Sequence, residues 1–210
     1  MTLIRGLSAD PALAPLRRLD QAADRVVLTF DDGPDPDYTP KILDALRQAG
    51  VTATFFVIAS EALNHPRIIH RTLAEGHSIG SHGWIHRHPW LQTANTARKQ
   101  VEAASYALAE LIGRQVRWFR PPHGALRPSM RQAAAKHDQR IVLWSKSALD
   151  WGPWATAASV TRRLQVVAGG DIVLMHDGRN RHNRPELVLQ ALPEFVSYLA
   201  DHRLRAMPLR

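Results

Sequence analysis

A chain of 210 residues, 45% hydrophobic and 22% charged, has the size and balance of one globular domain with a sizeable core. It has no cysteine, which excludes disulfides and thiolate metal sites, and no apolar run long enough to span a bilayer as a helix. The net charge of +8 is uneven: residues 1–105 carry 11 Lys+Arg against 11 Asp+Glu, and residues 106–210 carry 16 against 8. The excess is scattered arginine, without a lysine-rich run or a basic helix stripe, and this speaks against nucleic acid as a partner. Arginine-rich coding or attraction to an anionic substrate are the two readings of the surplus.

Within residues 1–25, Arg5, Asp10, Pro11, Pro15, Arg17, Arg18, Asp20 and Asp24 leave no continuous apolar core, so the segment does not read as a secretory signal. The expectation is a cytoplasmic protein, or an exported one whose leader is missing from this chain. Beyond it, apolar β-branched runs predict strands near 26–30, 53–58, 78–82, 117–120, 140–144, 171–175 and 205–208. Helical patterns lie between them, near 39–49, 66–75, 93–112, 128–137, 156–168 and 185–201. Thr39-Pro40 starts the first helix and Gly50 ends it, while Gly113 stops the long third one. Such alternation predicts an α/β fold with a parallel sheet, and the strand count suggests a barrel of about seven units rather than an open doubly wound sheet. No glycine-rich phosphate loop follows the first strand.

In its place stands Asp31-Asp32-Gly33-Pro34, directly after Val26-Val27-Leu28-Thr29-Phe30. Neighbouring side chains on a strand diverge, but a turn at its end can aim both carboxylates into one cavity. One can then hold a metal while the other moves a proton. The same residues are also good turn formers, so the pair alone does not decide. The third strand runs into His82-Gly83-Trp84-Ile85-His86-Arg87-His88, whose His82 and His86 can converge as imidazole ligands or simply be surface and core-capping histidines. His88 is an alternative to His86, although Pro89 turns the chain away. The fourth strand ends in Arg120-Pro121-Pro122-His123, where an arginine on a stiff turn can order a carboxylate through paired hydrogen bonds. Asp150-Trp151 follows the fifth strand, and the sixth runs into His176-Asp177-Gly178, where His176 is a natural general acid. Asp31, Asp32, His82, His86, Arg120, Asp150 and His176 thus all fall at predicted C-terminal strand ends, where β/α barrels place their active sites.

Thr29-Phe30-Asp31-Asp32-Gly33-Pro34, His82-x-x-x-His86, Arg120-Pro121-Pro122, Asp150-Trp151 and Leu174-Met175-His176 resemble, in order, the five motifs of the polysaccharide deacetylase family. The resemblance covers roughly residues 24–208 and implies a single-domain, incomplete (β/α)7 barrel, with residues 1–23 as an N-terminal extension and 24–210 as the catalytic domain. It implies one divalent ion, zinc in the first place with cobalt or nickel as alternatives, bound by Asp32, His82 and His86. By the same resemblance Asp31 is the general base held by Arg120, and His176 is the acid oriented by Asp150. Trp151 and Leu174 then line the groove for the acetyl group. Where the family commonly has Tyr after Arg-Pro-Pro, this chain has His123, whose backbone N–H can still serve an oxyanion hole behind Pro122. Ser147 stands where the fourth motif often begins with Asp.

The implied activity is removal of N-acetyl groups from N-acetylglucosamine-containing oligo- or polysaccharides, of chitooligosaccharide or peptidoglycan type. Hydrolysis of another C–N bond on the same scaffold is the runner-up. A non-catalytic carbohydrate binder, using Trp84, Trp90, Trp151 and Trp154, is the third reading. The loop Arg179-Asn180-Arg181-His182-Asn183-Arg184 is specific to this chain, and its arginines, Arg179 and Arg181 foremost, are candidates to meet an anionic group on the substrate.

Overall fold

The structure is a computed structural model that describes residues 14–210. Strands β1 (Arg25–Asp31), β2 (Thr54–Val57), β3 (Ser78–Ser81), β4 (Trp118–Phe119), β5 (Arg140–Ile141), β6 (Lys146–Ser147) and β7 (Ile172–His176) form a parallel sheet in the order β5-β4-β3-β2-β1-β7-β6. A short β8 (Arg205–Ala206) pairs with the start of β1. The edge strands β5 and β6 do not pair with each other, so the barrel is incomplete.

Helices α1 (Thr39–Gln48), α2 (Ala59–Asn64), α3 (Pro66–Ala74), α4 (Ala94–Ile112), α5 (Pro128–Lys136), α6 (Ala157–Leu164) and α7 (Pro185–Asp201) fill the connections. Their starts follow local chemistry: proline in the first turn of α1, α3, α5 and α7, a Thr93 cap on α4, and a reciprocal Thr156–Ser159 capping box on α6. Among the described residues no helix is long and apolar enough to cross a membrane.

β1 shows how the layers are built. Val26, Leu28 and Phe30 belong to the main core shared with the helices, whereas Val27 joins a separate apolar cluster with Phe56, Val142, Ile172 and Leu209 inside the barrel. The alternation continues through Thr29 to Asp31, both buried and both hydrogen-bonded to the interior Arg120. A strand buried on both faces reads as a near-continuous apolar run, which is why it was legible.

Three differences from the expected elements matter. Of the predicted strand 140–144 only Arg140 and Ile141 form β5, and β6, beyond that range, is a separate strand that carries Ser147 and leads to Asp150. Helix α2, absent from the predicted set, follows β2 almost directly, and short 3-10 turns occupy Pro89–Leu91 and Pro122–Gly124. Residues 16–19, within the expected extension, are tied to the sheet. Leu16 N–H donates to the Ile141 carbonyl at 2.8 Å, and Leu19 N–H donates to that of Gly170 at 2.8 Å. This segment therefore runs from the β5 edge to the foot of β7 across the open side; residues 1–13 lie outside the described part.

Candidate metal centre and active site

The site is assembled at the C-terminal ends of β1, β3, β4, β6 and β7. Asp31 is the last residue of β1 and continues its interior row. Asp32 has φ +75°, in the left-handed region, and this reversal of the backbone turns the second carboxylate to the same side as the first. Two glycines make the turn possible. A Cβ on Gly33 would come within 2.1 Å of the Asp177 carboxylate, and one on Gly178 within 2.2 Å of the Asp32 carbonyl oxygen. The turn after β7 thus packs its backbone at Gly178 on that of Asp32, and the Asp177 side chain packs on Gly33.

Asp32, His82 and His86 converge, with one donor atom from each inside a 4.8 Å span. Asp32 Oδ1 lies 3.3 Å from His82 Nε2 and 3.2 Å from His86 Nε2, and it is buried without a hydrogen-bond partner. His82 Nδ1 is 2.8 Å from the Arg120 carbonyl. A carbonyl only accepts, so this contact puts the His82 proton on Nδ1 and leaves the Nε2 lone pair facing Asp32. Burial drives the His86 pKa down to about 4, with Asp32 opposing, so this ring is also neutral at neutral pH. One carboxylate oxygen and two imidazole nitrogens therefore converge. That donor set fits a divalent cation of the zinc type, with coordination positions left open. Asp32 itself is held below the usual carboxylate range: burial opposes its ionisation, but the surrounding His82, His176 and His86 outweigh it.

Arg120 is fully buried and organises the floor. Its Nη1 donates to Asp31 Oδ1 at 2.6 Å and to Thr29 Oγ1 at 2.8 Å, and its Nη2 donates to the Leu143 carbonyl at 3.0 Å. The guanidinium lies 4.0 Å from the centroid of the Phe56 ring. Burial lowers its pKa, and the Asp31 charge resists that shift. The other oxygen of Asp31, Oδ2, sits 3.8 Å from His82 Nε2, beyond hydrogen-bond reach.

His176 is fixed twice by Asp150, through Nδ1 at 3.0 Å and through its backbone N–H at 2.8 Å. Burial works against charging the ring, but Asp150, with Asp32 and Asp31 beyond it, pushes the pKa up to about 9. The ring is protonated at neutral pH, and Trp151 meets it edge-on at 5.3 Å.

Asp31, Asp32, His82, His86 and His176 line a cavity of about 600 Å³, together with His123, Trp144, Trp151, Leu174 and Arg181, while Arg120 and Asp150 are fully buried and do not line it. A second cavity of about 630 Å³ opens at the other end of the sheet, near Ser78, Trp118 and Leu209, and contains none of the motif residues. The His123 ring, on a residue at φ +58°, is tilted against those of His86 and His88, with centroids 4.3 and 4.9 Å away. Burial and His88 lower its pKa. His88 is thus a neighbour of His123 and stands outside the Asp32 cluster.

Residues 18–142 match the family described as Polysaccharide deacetylase. The chain belongs to this family. It is 38% identical over 156 residues to the peptidoglycan-N-acetylglucosamine deacetylase PgdA of Listeria monocytogenes, an alignment that covers 73% of this chain and 32% of that protein. It therefore spans about a third of the length of that relative. A chitooligosaccharide deacetylase of Sinorhizobium fredii is 35% identical over 79% of this chain and 78% of its own length. Among solved structures, the Bc1960 peptidoglycan N-acetylglucosamine deacetylase, in complex with a naphthalenyl N-oxidanyl-benzamide, superposes with a TM-score of 0.84 at 31% identity, covering 92% of this chain and 89% of that one.

Set against the polysaccharide deacetylase motifs, all seven core candidates meet at one end of the barrel, while the outer candidates divide. His123, Trp151, Leu174 and Arg181 line the cavity, but Pro122 is buried and is not part of its wall. Arg179 is turned away: its guanidinium donates to the Tyr38 hydroxyl and lies 5.4 Å from that ring, and its backbone N–H donates to Asp35. The pull of an aromatic face and an acidic turn outcompetes the cavity. Of the tryptophans, Trp84 packs against the main core rather than the mouth. Ser147, in place of the motif's Asp, accepts from the Leu149 N–H at 3.2 Å.

Sequence reasoning missed Asn180 and Asn183, whose side-chain amides donate to Asp32 Oδ2 at 3.0 and 2.6 Å. It also passed over Trp144 in the cavity wall and Asp177. Asp177 Oδ2 accepts from Thr39 Oγ1 at 2.6 Å while Oδ1 is buried unpaired, and burial, with Asp32 and Asp31 adding to it against the Thr39 bond, raises the pKa to about 7.

Proposed function

We propose that the protein is a metal-dependent hydrolase that removes N-acetyl groups from N-acetylglucosamine-containing oligo- or polysaccharides, of the peptidoglycan or chitooligosaccharide type. The observation that carries the reading is the convergence of Asp32, His82 and His86 beside Asp31 and its strand neighbour His176. The relatives named as deacetylases of such glycans give the same substrate class.

Asp32 Oδ1, His82 Nε2 and His86 Nε2 would hold the ion. When bound, a divalent cation supplies Lewis-acid polarisation of the amide carbonyl and acidifies water. Asp31 takes a proton from the attacking water at Oδ2, because Oδ1 is occupied by Arg120. The water oxygen adds to the carbonyl carbon, and the backbone N–H of His123 donates to the oxyanion. The amine cannot leave as an anion, so His176 donates a proton from Nε2, since Nδ1 is engaged with Asp150. The C–N bond breaks to give acetate and a free amino sugar. Trp151 and Leu174 enclose the acetyl methyl.

A product assay on a panel tests this. Acetate release from chitooligosaccharides or peptidoglycan fragments, lost on chelation and restored by zinc or cobalt, is the expected result. Formate release from formylated sugars, or activity on acetylxylan alone, would overturn the substrate assignment, and no metal-dependent turnover on any amide would overturn the enzyme reading.

A further inference from the structure

We infer that Asn180 and Asn183 are positioning residues for metal binding, and that the 178–184 loop is fastened to Asp32 so that loading the ion and ordering this wall of the cavity are coupled. The inference rests on the metal-dependent reading above.

The two oxygens of Asp32 have separate tasks. Oδ1 faces His82 and His86, whereas Oδ2 accepts from Asn183 at 2.6 Å and from Asn180 at 3.0 Å. Both amides have an unambiguous orientation. Asn183 Nδ2 also donates to the Gly178 carbonyl at 3.2 Å, and Asn180 Oδ1 accepts the backbone N–H groups of His182 at 2.8 Å and Asn183 at 2.9 Å. A carboxylate on a left-handed turn residue needs such partners to fix its rotation, because no strand neighbour confines it. Neutral amides suit the task. A lysine or arginine on Oδ2 would bring a positive charge beside the ion, whereas an amide orients the carboxylate and leaves its charge for the cation.

The same loop is tied on its other side to the segment after β6. Gly152 N–H donates to the His182 carbonyl at 2.9 Å, Arg184 N–H donates to that of Asp150 at 2.8 Å, and Trp151 and Asn183 form an isolated antiparallel bridge. Between these anchors the loop places Arg181 and His182 in the cavity wall. Asp32 is therefore shared by the ion and by the wall that faces substrate. A cation that draws Oδ1 towards the histidines holds the carboxylate in the orientation the two amides need, and the amides in turn hold it for the cation; the coupling is reciprocal.

The test uses the full chain stripped of metal and titrated with zinc against a chelating dye. Asn183→Ala should weaken zinc affinity about 10–100-fold, and Asn180→Ala, on the more exposed residue, by less. Trypsin reports the loop, since it cuts after Arg179 and Arg181 while Pro185 shields Arg184. Zinc should slow these cuts in the wild type and give little protection in Asn183→Ala. Should Asn183→Ala fail to fold, Asn180→Ala with the same two readouts stands in. Equal zinc affinity in the wild type and both variants overturns this inference alone, as does cleavage at Arg179 and Arg181 that zinc does not change. A wild type that takes up no zinc overturns the metal reading and this inference with it.

Discussion

Asp31 and His176 are register partners on the adjacent parallel strands β1 and β7. Neighbouring strands lie about 4.8 Å apart, so the proposed base and acid are set by backbone pairing, each on the last residue of its strand. Each is then held by a different partner, Asp31 by Arg120 from β4 and His176 by Asp150 from the segment after β6. Two titrating groups side by side are thereby kept in opposite roles, one accepting and one donating.

Asp31→Asn should lower kcat by about 10²–10⁴-fold or more while metal content stays near that of the wild type. Asp32→Asn should instead lose the ion. Metal analysis beside steady-state kinetics separates the two, and loss of metal in the Asp31 variant with retention in the Asp32 variant would exchange their roles.

Replacing Arg120 strands Asp31 as an uncompensated charge inside the barrel. Arg120→Met should cost about 3–5 kcal/mol in chemical unfolding. Adding Asp31→Asn should recover part of it, since both ends of the buried pair are then neutral. Equal losses in the single and double variants would show that the stranded Asp31 charge is not the source of the loss.

In the metal-free protein the His176 ring should titrate near 9 by NMR, and Asp150→Asn should bring it down. Its pKa is raised in the folded state, so the stability it contributes is fully present below the unfolded value of 6.5 and is lost as pH rises through about 9. Asp150→Asn should therefore narrow the stability gap between pH 6 and pH 10. An unchanged titration would exclude Asp150 as the source of the shift.

Asp177 is a carboxyl whose burial raises its pKa from 3.8 to about 7. Its contribution is fully present below the lower value and is lost as pH climbs through the upper one. Asp177→Asn keeps an acceptor for Thr39 and cannot ionise. The metal-free variant should gain stability relative to the wild type across that interval and hold the gain above it. A variant less stable at pH 8 would mean that the charge itself is needed there.

Arg181 lines the cavity while Arg179 is held by Tyr38 and Asp35. Arg181→Gln should raise KM for substrates carrying a carboxylate or phosphate more than for neutral chitooligosaccharides, and Arg179→Gln should not discriminate. The reverse pattern would return the anion contact to Arg179.

What the sequence disclosed follows from how local each signal is. β1, with its doubly buried apolar run, and the carboxylates at its end are visible within seven residues, and α4 repeats its pattern over five turns between Thr93 and Gly113. Strand β6 has two residues, and what defines it is pairing with Val173 and Leu174, a contact no local pattern encodes. Helix α2 is too short, at six residues, to display a helical period despite its Ala, Glu and Leu content. The asparagines were hidden because Asn in a loop reads as turn chemistry, and both do make turn bonds; the partner that gives them a second use lies about 150 residues earlier. Two amides three apart just beyond the His176-Asp177-Gly178 turn were the available signal. Arg179 went astray for the converse reason, since proximity to His176 in sequence outweighed a distant tyrosine.

The fit of Gly33 against Asp177, and of Gly178 against Asp32, has a bearing on how this scaffold can diversify. A methyl group at either position collides with the facing turn, so neither loop can be lengthened or re-angled without displacing the other. The two turns that carry Asp32 and Asp177 are thereby held against one another, whereas Trp90, Leu91 and Trp154 project into solvent, where side chains can be exchanged without entering that contact.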